Sequence, residues 1–206
     1  MATSVSRSST QTRPIDPDKL NALLGQAVQD MGAAMHAPLI VIGDKLGLYR
    51  AMGDGGPVTP AELASRTGTA ERYIREWLNA NAASKFVEYD TSSGKYFMTP
   101  EQALALAQDD TPVHLPGFYH MLASLMKDEE KITEIYRTGK GMGWHEHEKG
   151  LFEGCERFFR PTYLANLVSS WVPALEGVEL KLRVGARVAD IGCGHGASTI
   201  LMAKAY

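Results

Sequence analysis

Seven residues near the C-terminal end, Asp190-Ile191-Gly192-Cys193-Gly194-His195-Gly196, constrain this 206-residue chain more than any other feature. Val188-Ala189-Asp190-Ile191 reads as a short buried strand leading into the glycines. Ala197 to Ala205 follows with helix-forming composition, and Ala197, Ile200 and Leu201 recur at the spacing of one helical face. Strand, glycine loop and helix open a Rossmann-like α/β fold. Glycines are needed there because the backbone must turn tightly and approach a ligand with no Cβ in the way. The unpaired N–H groups of a helix start face the same place.

The chain upstream is organised differently. Residues 1–14 are rich in Ser and Thr and are expected to be a disordered tail. Residues 15–110 read as one domain. Asp16-Pro17 starts a helix in which Leu20, Leu23, Leu24, Val28, Met31 and Met35 keep helical spacing to about Met35. A second helix is expected from Pro38 to Met52, ended by Gly53-Asp54-Gly55-Gly56. Thr59-Pro60-Ala61-Glu62 is a capping box that opens a short helix ending near Gly68. A helix over about Ala70 to Ser84 buries Ile74, Trp77 and Leu78, and the alternation of residues 86–90 and 95–98 about Thr91-Ser92-Ser93-Gly94 predicts a β-hairpin. Thr99-Pro100-Glu101-Gln102 starts a further helix. This order spells a winged helix-turn-helix domain. Residues 111–180 read as a helical connector with a glycine-rich break at 139–143, and residues 181–206 as the beginning of the α/β domain.

The ligand of the loop follows from its spacing. Dinucleotide folds use Gly-x-Gly-x-x-Gly to seat a pyrophosphate on the helix start. Here Asp190 stands two residues before the first of three alternating glycines. An acid there repels a pyrophosphate and suits a cationic ligand such as a sulfonium amino acid. Asp190 to Gly196 resembles motif I of class I S-adenosylmethionine-dependent methyltransferases. A winged-helix domain, a helical connector and then this motif are similar to the small-molecule O-methyltransferases over about residues 15–206. The resemblance implies S-adenosylmethionine as cofactor, S-adenosylhomocysteine as product, a small-molecule methyl acceptor and a homodimer made through the winged helix. It implies cofactor contacts from Asp190, Gly192, Cys193, Gly194 and Gly196, and from the connector residues Phe159, Arg160 and Tyr163. Trp144, His145 and Tyr119 are candidates for the acceptor pocket, since aromatic and imidazole groups suit a flat phenolic substrate. The family's ribose-binding acid lies roughly 20 residues past the glycine loop. The chain stops at Tyr206, inside the first helix of that domain. A fragment of a longer protein, inactive by itself, is therefore expected, and no catalytic residue is assigned.

Other readings of the same residues are weaker. Cys155, beside Phe158 and Phe159, reads as a small core residue, whereas Cys193 and His195 read as facing the cofactor cavity. His145-Glu146-His147 invites a metal, but residues two apart share a face only on a strand and no third ligand is evident. His114 and His120 flank a candidate pocket helix without a defined task. A winged-helix transcriptional regulator with a ligand-sensing C-terminal domain is the main alternative, and a pure dimerisation module a third. Between His36 and Ala107, seven Lys/Arg face eight acids, and Arg72 and Arg75 on the recognition helix alternate with Glu71 and Glu76. That balance argues against DNA binding. The formal net charge of −3 agrees, and the strongest apolar run, Ala37 to Gly43, is too short to cross a bilayer. Two cysteines and no secretory leader point to a reducing cytoplasm.

Overall fold

The computed structural model describes residues 14–206. The expected tail at residues 1–14 lies outside these, apart from Pro14. The described chain divides into two units, one ending at Met35 and one covering His36–Tyr206.

Helix α1 (Pro17–Lys45) belongs to both units. Its first part exposes Leu20, Leu23, Leu24, Val28, Met31 and Met35 to solvent. The helix expected to end near Met35 instead runs through Pro38 to Lys45. Pro38 lies on the exposed side, where the carbonyl left without its N–H donor can face solvent rather than the core. His36, Ala37, Ile40 and Asp44 continue the buried face across it. The break comes at Gly47, whose φ of 68° begins the short α2 (Leu48–Gly53).

In the second unit, α3 (Pro60–Thr67) and α5 (Pro100–Leu106) both start with capping boxes, Thr59 with Glu62 and Thr99 with Gln102. α4 (Glu71–Ala83) packs on α3, and β1 (Glu88–Asp90) pairs antiparallel with β2 (Lys95–Phe97) in the register Tyr89 opposite Tyr96. Val58 bridges to Tyr96 and ties the wing back to the helices. Ile40, Leu48, Leu63, Ile74, Leu78 and Val87 form the core of this winged helix, and fully burying each such side chain contributes about 1.5–3 kcal/mol. Tyr49, Asn81 and Trp77 pair their polar atoms inside it. Tyr49 Oη donates to Asn81 Oδ1 at 2.7 Å, Asn81 donates to the Trp77 carbonyl, and Trp77 Nε1 donates to the Leu39 carbonyl. The winged helix-turn-helix expected from the punctuation of residues 59–106 is therefore present.

The connector is helical. α6 (Pro116–Lys127) and α8 (Lys149–Asn166) touch through backbone, because a Cβ on Gly117 would stand 2.7 Å from the Phe158 nitrogen and one on Gly154 2.5 Å from the Met121 nitrogen. α7 (Glu129–Thr138) and a one-turn 3-10 segment at Trp144–Glu146 lie between them. After α8 come a π-turn at Leu167–Trp171, α9 (Val178–Arg183) and α10 (Ala197–Ala205). The strand expected at 188–191 is absent. That segment has no regular structure, and Ile191 is 91% exposed. A lone strand has no neighbour to take its hydrogen bonds, so nothing holds it extended.

Candidate functional site

A cavity of about 900 Å³ lies between α8, the Trp144 turn and the glycine loop. On the α8 side it is lined by Phe152, Cys155, Glu156, Phe159 and Tyr163, which share one helical face. Trp144 and His145 border it from the turn, and Trp144 meets Phe152 edge to face at 5.3 Å. Phe159 and Tyr163 lie parallel, 6.3 Å apart.

The opposite wall is the loop. Gly192, Gly194 and Gly196 have φ of 75°, 55° and 79°, a region that other residues adopt only with strain. The space beside each of these Cα atoms is empty of protein. Gly192, Cys193, Gly194 and His195 line the cavity, whereas Gly196 sits just behind them as the N-cap of α10. Gly196 donates its N–H to the Cys193 carbonyl at 2.9 Å, which closes the loop. Asp190 Oδ2 accepts from Thr199 Oγ1 at 2.6 Å and Ser198 Oγ at 2.7 Å. These bonds hold its carboxyl below the usual carboxylate range, so it is ionised at neutral pH. Oδ1 is left for a ligand.

Of the expected cofactor contacts, Asp190, Gly192, Cys193, Gly194, Phe159 and Tyr163 come together around this cavity. Arg160 is not on its surface. Its guanidinium lies 3.3 Å from Glu156 and 3.4 Å from Asp110, so it can orient Glu156 rather than touch a ligand. Trp144 and His145 reach the cavity, but Tyr119 packs against Phe86 and the winged-helix core. Cys155, read as a core residue, is half-buried on the cavity wall with its thiol 3.2 Å from Met121 Sδ. Burial pushes that thiol up, away from reactivity. Phe152 and Glu156 were not foreseen. Their spacing to Phe159 and Tyr163 (four, three, four) is the local signal that could have found them.

His145 and His147 diverge. His147 Nδ1 lies 2.9 Å from Asp128 Oδ2, which also accepts from the Glu148 backbone at 3.0 Å, while Lys131 donates to Oδ1. That bond from Glu148, with those from His147 and Lys131, brings the Asp128 carboxyl down to about 2. Asp128 thus anchors the far end of the turn that carries Trp144 and His145.

A second polar cluster lies behind α8, where His114 and His120 are found. Asp44 on α1 is held by both Arg157 guanidinium nitrogens and by His120 Nε2 at 2.7 Å, and Arg157 also reaches Asp109 at 2.5 Å. Burial alone would raise the Asp44 carboxyl, but the Arg157 and His120 bonds outweigh it and hold it well below the usual range. Asp44, Asp109 and His114 are close enough to hold a cation. Arg157 and Arg50 already balance the two carboxylates, so a metal would have to expel a bonded guanidinium.

On the recognition helix, Arg72 pairs with Glu76 and Arg75 with Glu71. No helix among the described residues is long and apolar enough to cross a membrane.

Residues 34–108 match the family model for the Rv2258c-like winged HTH domain. A comparison with curated proteins gives no match. Among solved structures, the chain is similar to PigF with SAH (TM-score 0.55, 17% identity, covering 88% of this chain and 55% of that one). It is similar to CalO1, a methyltransferase in calicheamicin biosynthesis, in its SAH-bound form (TM-score 0.52, 19% identity, 93% and 57%). It also resembles an O-methyltransferase family protein from Burkholderia thailandensis (TM-score 0.57, 17% identity, 93% and 54%). The chain thus spans little more than half the length of these proteins. It carries an Rv2258c-like winged helix-turn-helix domain at residues 34–108 and shares, over that part of their length, the fold of these structures.

Proposed function

We propose that this chain is part of an S-adenosylmethionine-dependent methyltransferase that acts on an oxygen of a small acceptor. The observation that carries the reading is the cavity between the Asp190–Gly196 loop and the aromatic face of α8. Two of the similar structures, PigF and CalO1, hold SAH, which supports the same ligand here. The donor set suits it. Asp190 Oδ1 can accept from an ammonium group, the peptide edges at Gly192 and Gly194 can approach a ribose, and Phe159 and Tyr163 offer flat apolar surface. When bound, the cofactor would supply a methyl group activated by its sulfonium. The chain's own residues align the acceptor and keep water out. Trp144 and Phe152 cover one end of the cavity. We assign to His145, which makes no side-chain hydrogen bond to another described residue, the task of taking the hydroxyl proton.

The exposed apolar stripe of α1 supports a homodimer. Leu24, Val28, Met31 and Met35 follow the four-three-four spacing of a coiled-coil seam. A cytoplasmic protein fits the two free thiols. The regulator reading loses support from the internally paired arginines of α4.

The test is a thermal shift with S-adenosylmethionine and, separately, NAD. Stabilisation by the first alone is expected; stabilisation by NAD alone, or by neither at millimolar concentration, overturns the reading. Retardation of DNA at low salt would favour the regulator.

A further inference from the structure

The walls of the cavity carry charge of one sign. Among the described residues that line it, Glu156 and Asp190 are carboxylates and none is Lys or Arg. Asp190 is engaged by Ser198 and Thr199 at the loop end. Glu156 is on α8, one turn from Phe152 on the same face, with its side chain 27% exposed. Arg160 lies 3.3 Å from Oε1 of Glu156 and is shared with Asp110, so the three groups together keep a net negative charge. Trp144, 58% exposed, borders the same cavity and meets Phe152, one turn before Glu156, edge to face. An indole and a half-screened carboxylate lining one cavity suit an organic cation. A ligand whose one charge is a carboxylate or phosphate, with no ammonium or sulfonium to offset it, meets repulsion from Glu156 and Asp190.

We propose that the acceptor carries an amino group besides the hydroxyl that is methylated: a small, flat molecule whose protonated amine is held by Glu156 and the indole of Trp144. The proposal rests on the methyltransferase reading for the word acceptor, but the charge preference is a property of the cavity and can be measured apart from it.

Three ligands of nearly the same shape separate the terms: tyramine, 4-ethylphenol and 4-hydroxyphenylacetate. Their binding to the 206-residue chain is measured by calorimetry at pH 8, with and without S-adenosylhomocysteine. Tyramine is expected to bind at least about tenfold more tightly than 4-hydroxyphenylacetate, with 4-ethylphenol between them. Glu156→Gln should bring tyramine to within about twofold of 4-ethylphenol while leaving 4-ethylphenol unchanged. Trp144→Leu, on an exposed turn that does not endanger the fold, should weaken tyramine more than it weakens 4-ethylphenol. Equal or tighter binding of 4-hydroxyphenylacetate, an undiminished tyramine preference in Glu156→Gln, or no binding of any of the three overturns the proposal. If S-adenosylhomocysteine fails to bind while the tyramine preference holds, the methyltransferase reading fails and the charge selection stands.

Discussion

Arg157→Met tests how the cavity wall is fixed to the winged helix. Met fills most of the volume of the arginine stem but removes the guanidinium that bonds both Asp44 and Asp109. The Asp44 side chain is only 4% exposed, so it would remain as a buried carboxylate held by His120 and, at 3.6 Å, by Arg50. Removing one partner of such a buried pair costs about 3–5 kcal/mol, chiefly because the surviving charge is left poorly compensated. For a unit of this size each kcal/mol lowers the melting temperature by roughly 2–4 °C, so the loss should be about 10 °C. Asp44→Asn added to Arg157→Met removes the stranded charge and should recover a large part of the loss. The pH dependence gives a second arm. The folded protein holds Asp44 below its ordinary value, so its contribution is present above the unfolded pKa and is lost as pH falls. In Arg157→Met that contribution is gone, and the gap between variant and wild type should narrow in acid. Urea unfolding followed by circular dichroism measures both arms. A change under about 1 kcal/mol, or a double variant worse than Arg157→Met alone, would refute the account of the cluster.

Three other outcomes follow from the same structure. Gly194→Val puts a β-branched side chain at φ 55° on the cavity wall, and should abolish S-adenosylhomocysteine binding while the thermal unfolding of the winged helix stays within about 2 °C of wild type. Burial lowers both His36 and His114, with Arg157 adding to the effect on His114. Their stabilising contribution is therefore complete above about pH 6.5 and declines as pH falls below it, so urea midpoints should drop between pH 7.5 and 5; a flat profile contradicts this. Asp128→Asn loosens the anchor of His147 and Glu148, and should speed amide exchange across residues 143–148 at least several-fold while leaving exchange in α4 unchanged.

What could be read from the sequence was local chemistry. Thr59 with Glu62 and Thr99 with Gln102 start helices where their spacing says they should, because a capping box is complete within four residues. The turn of the glycine loop was equally legible, since Gly192, Gly194 and Gly196 take the positive φ that glycine alone adopts freely. Pro38 misled because its effect depends on which side of α1 faces solvent, and that is decided by packing. Residues 188–191 misled in another way: the pattern of a strand is present, but a strand exists only with a neighbour. The pairing of Asp44 with Arg157 joins residues 113 apart and leaves no periodic trace. Its one hint is an acid placed directly after the apolar run Ala37 to Gly43. Tyr119 shows the reverse error, an aromatic assigned to a pocket by type alone that packs against the winged-helix core instead.

The central claim is that the Asp190–Gly196 loop and the aromatic face of α8 bind one S-adenosyl ligand. Calorimetric titration of the 206-residue chain with S-adenosylhomocysteine tests it most directly. The account predicts saturable binding of one ligand per chain, weakened at least tenfold in Asp190→Asn, which keeps the side chain's shape and removes its charge. Absence of saturable binding at millimolar ligand, or full affinity in Asp190→Asn, would contradict it.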